Sequence, residues 1–368
     1  YENGGAAGGG GGGSGRDGST GMKGGVLVVS WACGLLLGLG VAYGGMTDAR
    51  KVSSFLNLSL IGTPYWDPAL GIMFAAALAT NFVLHRVVMA LLRKPLLADA
   101  FSIPTRTDMP PQLFIGSALF GMGWALGGYC PGPAIVAAAD GHYKTLLFVV
   151  AMAAGMGAFK LQSVLQDARA KGKDPTRDAK EVHPHAGGAV ASGALVLALA
   201  ATAYLLSEAS HHPATPPEAG PRDFVMGARL PVLGGVLVGA SVSLMMALAG
   251  QILGISGIVN GLFSTTTSPA DKAFRAAFVA GMLTAAWWLR GAAPELLQNR
   301  MHRSPVFFVV GGLLVGYGTS LGSGCTSGHG VAGLARLSRR SVAAVGTFML
   351  VNAIVTTALH SVGVGSGW

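Results

Sequence analysis

Apolar residues run in long blocks along this chain, and the charged residues gather between the blocks. Blocks at 25–44, 69–92, 112–128, 145–165, 186–206, 230–249, 274–289, 305–322 and 341–360 approach or reach the length at which a helix crosses a bilayer. The pattern predicts an all-α integral membrane protein of about nine transmembrane helices. Composition agrees, because 51% hydrophobic and 11% charged residues leave more apolar surface than one soluble core of this size can hide.

Residues 1–24 are mostly glycine and carry no apolar periodicity, so they read as a disordered leader. The net charge of +9 does not point to nucleic acid, because the basic residues are dispersed among loops without aromatic interleaving. Topology explains them better. With nine crossings, the N-terminal tail and the basic loops around 93–106, 160–180, 272–275 and 336–340 fall on one side. The positive-inside rule makes that side, and the N-terminus, cytoplasmic. A multi-pass protein of the plasma (inner) membrane is expected, with an organellar membrane as the alternative.

A ten-residue glycine-rich motif ending in cysteine occurs twice, GMGWALGGYC at 121–130 and GYGTSLGSGC at 316–325, with matched positions 195 residues apart. The match implies a duplicated unit with one thiol per copy. Four apolar blocks accompany each motif and 186–206 is left between them. An odd connector turns the second copy upside down, giving two inverted pseudo-symmetric repeats whose cysteine segments approach from opposite faces. The predicted organisation is a leader at 1–24, a first membrane repeat at 25–165, a basic linker with a connecting helix and loop at 166–229, and a second membrane repeat at 230–363.

Around each cysteine the chain cannot continue as one helix. Pro131 and Pro133 remove donors and restrict the residues before them. A short helix is expected over 134–139, and another over 331–337 behind the capping hydroxyls Thr326 and Ser327. Short re-entrant helices whose N-termini converge make a site for an anion. Cys130 and Cys325, flanked by Gly128, Tyr129, Gly324, Thr326, Ser327 and His329, are therefore the candidate path residues. Asp48 and Asp67 read as helix caps, and Gln251 and Asn260 as polar groups that either line the path or have a structural role, the second being favoured. Arg336, Arg339 and Arg340 are placed to gather or release anions at a mouth, although topology alone also accounts for them.

The stretches GYCPGPAIV and GSGCTSGHGVAGLARLSRRS resemble the two signatures of the YeeE/YedE family of sulfur-compound transporters. GMTDARKVSSFLNL, TPYWDPALG, GISGIVNGLF and FRAAFVAGML extend the resemblance over most of 25–363, apart from the central linker. In that family the halves also occur as separate short proteins, so this chain resembles their fusion. The resemblance implies uptake of thiosulfate or a related sulfur compound through a constricted path in which thiols pass the substrate by hydrogen bonding. Cys130 and Cys325 match the central thiols, and Cys33 matches a third by position. Some relatives are linked to selenium compounds, which keeps a selenium substrate open.

Other classes fit less well. Three cysteines without a CxxC pair and without clustered histidines give no zinc or iron–sulfur site, and no phosphate-binding loop is present, so no cofactor and no metal are expected. No catalytic acid–base pair accompanies the thiols, so the chain does not read as an enzyme. The competing reading is a membrane sulfurtransferase or thiol redox protein carrying a persulfide on Cys130 or Cys325. A third is a scaffold that works with a soluble cytoplasmic sulfur-carrier protein. The expected partners are thus a small sulfur anion, the lipid bilayer and, on that third reading, the carrier.

Overall fold

In the computed structural model, residues 24–104, 106–173, 224–252, 254–264, 267–297 and 301–363 are described. The leader up to residue 23, most of the linker and the expected crossing at 186–206 lie outside them.

The first half forms α1 (Gly24–Tyr43), α2 (Ala49–Leu56), α3 (Ala69–Leu91), α4 (Pro111–Gly127), α5 (Pro131–Ala137) and α6 (Tyr143–Lys173). The second half forms α7 (Phe224–Ala249), α8 (Ile255–Leu262), α9 (Pro269–Ala292), α10 (Pro305–Leu321), a π-helical turn α11 (Thr326–Gly333) and α12 (Arg339–Ser361). Each half runs long, short, long, long, short, long. No strand forms among the described residues, where the only pairing is an isolated bridge between Ser102 and Gln251.

Six of these helical segments are long and apolar enough to cross a membrane, or seven if the bent pair α10 and α11 counts as one crossing. The chain is an all-α multi-pass membrane protein. α9, which holds the predicted crossing 274–289, is not among the six, because Asp271, Lys272, Arg275 and Arg290 lower its apolarity. Short helices α2 and α8 were not foreseen as helices. Asp48 caps α2 as expected by accepting from Arg50 N at 3.0 Å, whereas the N-cap of α3 is Pro68 and Asp67, one residue earlier, accepts from Ala69 N at 3.0 Å.

Packing directions reveal the relation between the halves. Ser241 Oγ of α7 donates to Cys33 O of α1 at 2.7 Å, while Gly40 lies against Gly234 and Val238, so the two helices run in opposite directions. Equivalent helices α4 and α10 do the same, with Gly116 against Gly322 and Gly123 against Gly311. Only residues without a Cβ let these backbones approach so closely, the usual device where lipid supplies no hydrophobic drive between helices. Equivalent helices that run antiparallel are the mark of inverted repeats. The main contacts form two strings of neighbours, α9–α1–α7–α3 and α6–α10–α4–α12, and exchanging equivalent helices maps each string onto itself.

The short helices join the strings. α5 packs on α1, α9 and α6, and α11 packs on the equivalents α7, α3 and α12. A buried brace holds α11 in place. Asn81 Nδ2 of α3 donates to Val331 O at 3.0 Å, and Ser243 Oγ of α7 donates to Asn81 Oδ1 at 2.8 Å. A π turn loosens the ordinary ladder of backbone bonds, and this carbonyl is satisfied by a side chain.

Candidate functional site

Both breaks use the same backbone device. Gly128 ends α4 with φ 74°, and Ser323, its equivalent 195 residues on, has φ 61° after α10. A left-handed residue stops a helix by turning the chain aside. Two residues later stand Cys130 and Cys325, each as the N-cap of a short helix. Both helices begin immediately after the cysteine, earlier than the ranges 134–139 and 331–337 expected from sequence. In the first, prolines at 131 and 133 sit in the opening turn, where a missing N–H costs nothing. In the second, the change of helix type to a π turn carries no sequence signature.

The two half-sites meet. Thr326 Oγ1 donates to Cys130 Sγ at 3.3 Å, across a separation of 196 residues. Cys325 Sγ lies 3.3 Å from Ser327 Oγ, which accepts from Ile255 N of α8 at 3.2 Å. Cys130 and Cys325 are both buried and both free thiols. Thus Cys130, Cys325, Thr326 and Ser327 form one polar cluster between α5, α8 and α11. Cys33 is not part of it. Its thiol is buried on α1 and makes no hydrogen bond among the described residues, although α1 packs against α5.

Tyr129 is wholly buried, its ring 5.6 Å from that of Phe148 in an edge-to-face arrangement. His329 is wedged between Gly322 O, 3.3 Å from Nε2, and Ser341 Oγ, 3.1 Å from Nδ1. A donor is needed at the carbonyl, so Nε2 carries a proton there. A Cβ on Gly324 would lie 2.6 Å from the His329 ring, which makes glycine necessary at that position.

Beside the cluster, at the end of the bundle where α8, α9 and α12 begin, lies a cavity of about 390 Å³. Gly324, Gly328 and His329 line it together with Arg106, Arg275, Arg336 and Arg340. Asp108 pairs with Arg106 at 2.7 Å and with Arg340 at 3.7 Å, and Asp271 pairs with Arg275 at 2.9 Å. Four guanidinium groups therefore face two carboxylates, leaving the cavity cationic. Asp108 is held below the usual carboxylate range, chiefly by its hydrogen bond from Arg106. Gln251 also lines this cavity, whereas Asn260 instead donates to Ser320 Oγ at 2.9 Å.

One residue the sequence did not single out is Arg303, just before α10. It is buried, and its Nη1 donates to the carbonyls of Ala125 at 2.5 Å and Leu126 at 2.7 Å in the last turn of α4. Among the described residues it has no carboxylate partner. Burial lowers its pKa to about 10, which still leaves it charged at neutral pH, and the negative end of α4 is its compensation. Its burial depends on the fold and has no local sequence signal.

Comparison with known proteins places these features in a wider setting. A model of a family of unknown function (DUF6691) matches residues 25–171. Two Xylella fastidiosa proteins, from strains Temecula1 and 9a5c, are each named a probable transporter. Both are 41% identical over 128 residues, 35% of this chain and 84% and 85% of the respective relatives. Another probable transporter of strain 9a5c is 38% identical over 125 residues, 33% of this chain and 86% of its own length. About a third of this chain is thus matched by most of a much shorter protein.

Proposed function

This chain belongs to the family of the Xylella fastidiosa probable transporters, and from that premise we propose that it is a permease for thiosulfate or a related small sulfur-containing anion. The substrate class rests on the YeeE/YedE-like motifs that surround both cysteines. The short relatives suit a chain built as a fusion of two half-proteins, with repeats at 25–165 and 230–363 joined through 166–229.

The observation that carries the reading is the contact between Thr326 Oγ1 and Cys130 Sγ beside the Cys325–Ser327 pair. It brings a hydroxyl of the second repeat onto the thiol of the first, beside the second repeat's own thiol. A dianion leaves water at high cost unless fixed donors replace its hydration. Thiols, hydroxyls and the first turn of α11 offer several weak donors, and weak binding at several points permits release. The neighbouring cationic cavity, on the side of the basic loops, gives an anion leaving this cluster a place to be received before release.

On this reading transport is inward across the plasma membrane, the N-terminus is cytoplasmic, and no chemistry is done on the substrate. A soluble sulfur carrier is a fitting acceptor on the cytoplasmic side.

The test is accumulation of radiolabelled thiosulfate in proteoliposomes holding the purified protein, with sulfate, selenite and sulfite as competitors. Saturable uptake inhibited by the sulfur or selenium anion that fits best supports the reading. Folded protein that takes up none of them contradicts it.

A further inference from the structure

We propose that Tyr129 seals the α5 end of the thiol path and that Arg303 holds this seal shut, while the equivalent positions leave the α11 end open. The word path rests on the permease reading above, but the asymmetry itself does not.

The two repeats place one ring beside each break, yet from different positions. In the first repeat Tyr129 supplies it and Ala134 is small. In the second, Gly324 is small and His329 supplies it, with both pairs 195 residues apart. The exchange changes exposure. Residues 121–137 are buried throughout, with Tyr129 packed on Phe148 and Gly128 against Ala49 at the start of α2. Ser323 is exposed and Gly324 and Gly328 are partly exposed, all three lining the cavity. A phenol ring on an aromatic neighbour closes one end, and a glycine with a histidine tied back to Gly322 and Ser341 opens the other.

Arg303 reinforces the difference. Its equivalent in the first repeat is Asp108, which is exposed and stands beside the cavity. Arg303 is instead buried on the last carbonyls of α4, directly before Gly128 and Tyr129. Among the described residues its buried Nε has no hydrogen-bond partner, so its charge is compensated by this helix end and by the Phe307 ring 6.0 Å away. Arg303 is thus a positioning residue for the segment that carries Tyr129. Because the asymmetry is written into side chains, passage requires the α5 end to open by displacement of Tyr129, a gating step of the kind that limits many transport and catalytic cycles.

The experiment uses full-length protein with Cys33→Ser, oriented in proteoliposomes, and a membrane-impermeant charged methanethiosulfonate applied from either face. Mass spectrometry reads modification of Cys130 and Cys325. Modification from the α11 face is expected to be about ten-fold faster than from the α5 face, and Tyr129→Gly to raise the α5-face rate by about ten-fold. Arg303→Gln should also raise that rate, and Arg303→Lys should restore it. Equal rates from both faces before any further substitution overturn the proposal, as does an unchanged α5-face rate in Tyr129→Gly that melts like its parent. Should Tyr129→Gly not fold, the parent's ratio between faces and the Arg303 pair decide. Labelling needs no substrate, so expected labelling without uptake counts against the permease reading alone, and uptake with equal labelling against the seal alone.

Discussion

Thr326 Oγ1 donates to Cys130 Sγ at 3.3 Å, so a hydroxyl of the second repeat is fixed on the thiol of the first. One such bond is worth about 1 kcal/mol net, roughly a five-fold effect on an equilibrium. Thr326→Val keeps the shape and removes the donor. Thiosulfate uptake is expected to fall about five-fold with little change in melting temperature, and Thr326→Ser to retain most of it. A Thr326→Val protein with unaltered uptake would show that the contact is packing only.

The brace from Asn81 to Val331 and Ser243 is buried between α3, α7 and α11. Replacing Asn81 by Leu strands the Val331 carbonyl and the Ser243 hydroxyl. The expected loss is roughly 1 to 2 kcal/mol, with Ser243→Ala costing less. Denaturation in detergent micelles measures both, and the two losses should not add, because they share one network.

Backbone approach between the repeats makes a prediction at Gly123. A Cβ there would lie 2.6 Å from Gly311 O, whereas Gly157 on α6 has open space around it. Gly123→Ala should cost about 1 to 3 kcal/mol by forcing α4 and α10 apart. Gly157→Ala should be neutral or stabilising by up to about 1 kcal/mol, since alanine is the better helix former. Thermal melts of the two variants against the parent provide the comparison.

Asp108 accepts from Arg106 through both carboxylate oxygens, at 3.0 and 2.7 Å, and this lowers its pKa. A carboxyl lowered on folding contributes stability above its unfolded value of about 3.9, and the contribution is lost as pH falls through the lowered folded value. The difference in melting temperature between parent and Asp108→Asn should be small, because the pair is exposed. It should stay constant from neutral pH down to about pH 4 and then close. A difference that closes between neutral and mildly acid pH would mean that Arg106 does not hold the carboxylate.

Much of the architecture was legible because duplication is written in fixed spacing. The matched glycines and cysteines marked the repeats, and an odd connector implied the inversion now seen in the antiparallel pairs α1 with α7 and α4 with α10. Helix lengths were less legible. α6 runs on to Lys173 beyond its apolar block, and α7 starts before Pro231, because membrane-end turns need not be apolar. At the site, Cys130, Thr326 and Cys325 come together as their flanking helix breakers suggested, while Cys33 remains apart. Arg303, Asn81 and the π turn at Thr326–Gly333 were missed for one physical reason: each is defined by a carbonyl or a neighbour supplied by a distant part of the chain.

The most direct measurement is radiolabelled thiosulfate uptake by proteoliposomes containing the parent, Cys130→Ala or Cys325→Ala, each checked for folding by its thermal melt. If the two thiols lie on one path, uptake by the parent should be lost or sharply reduced in both variants. Full uptake by either variant, in protein that melts like the parent, would contradict a shared path through Cys130 and Cys325.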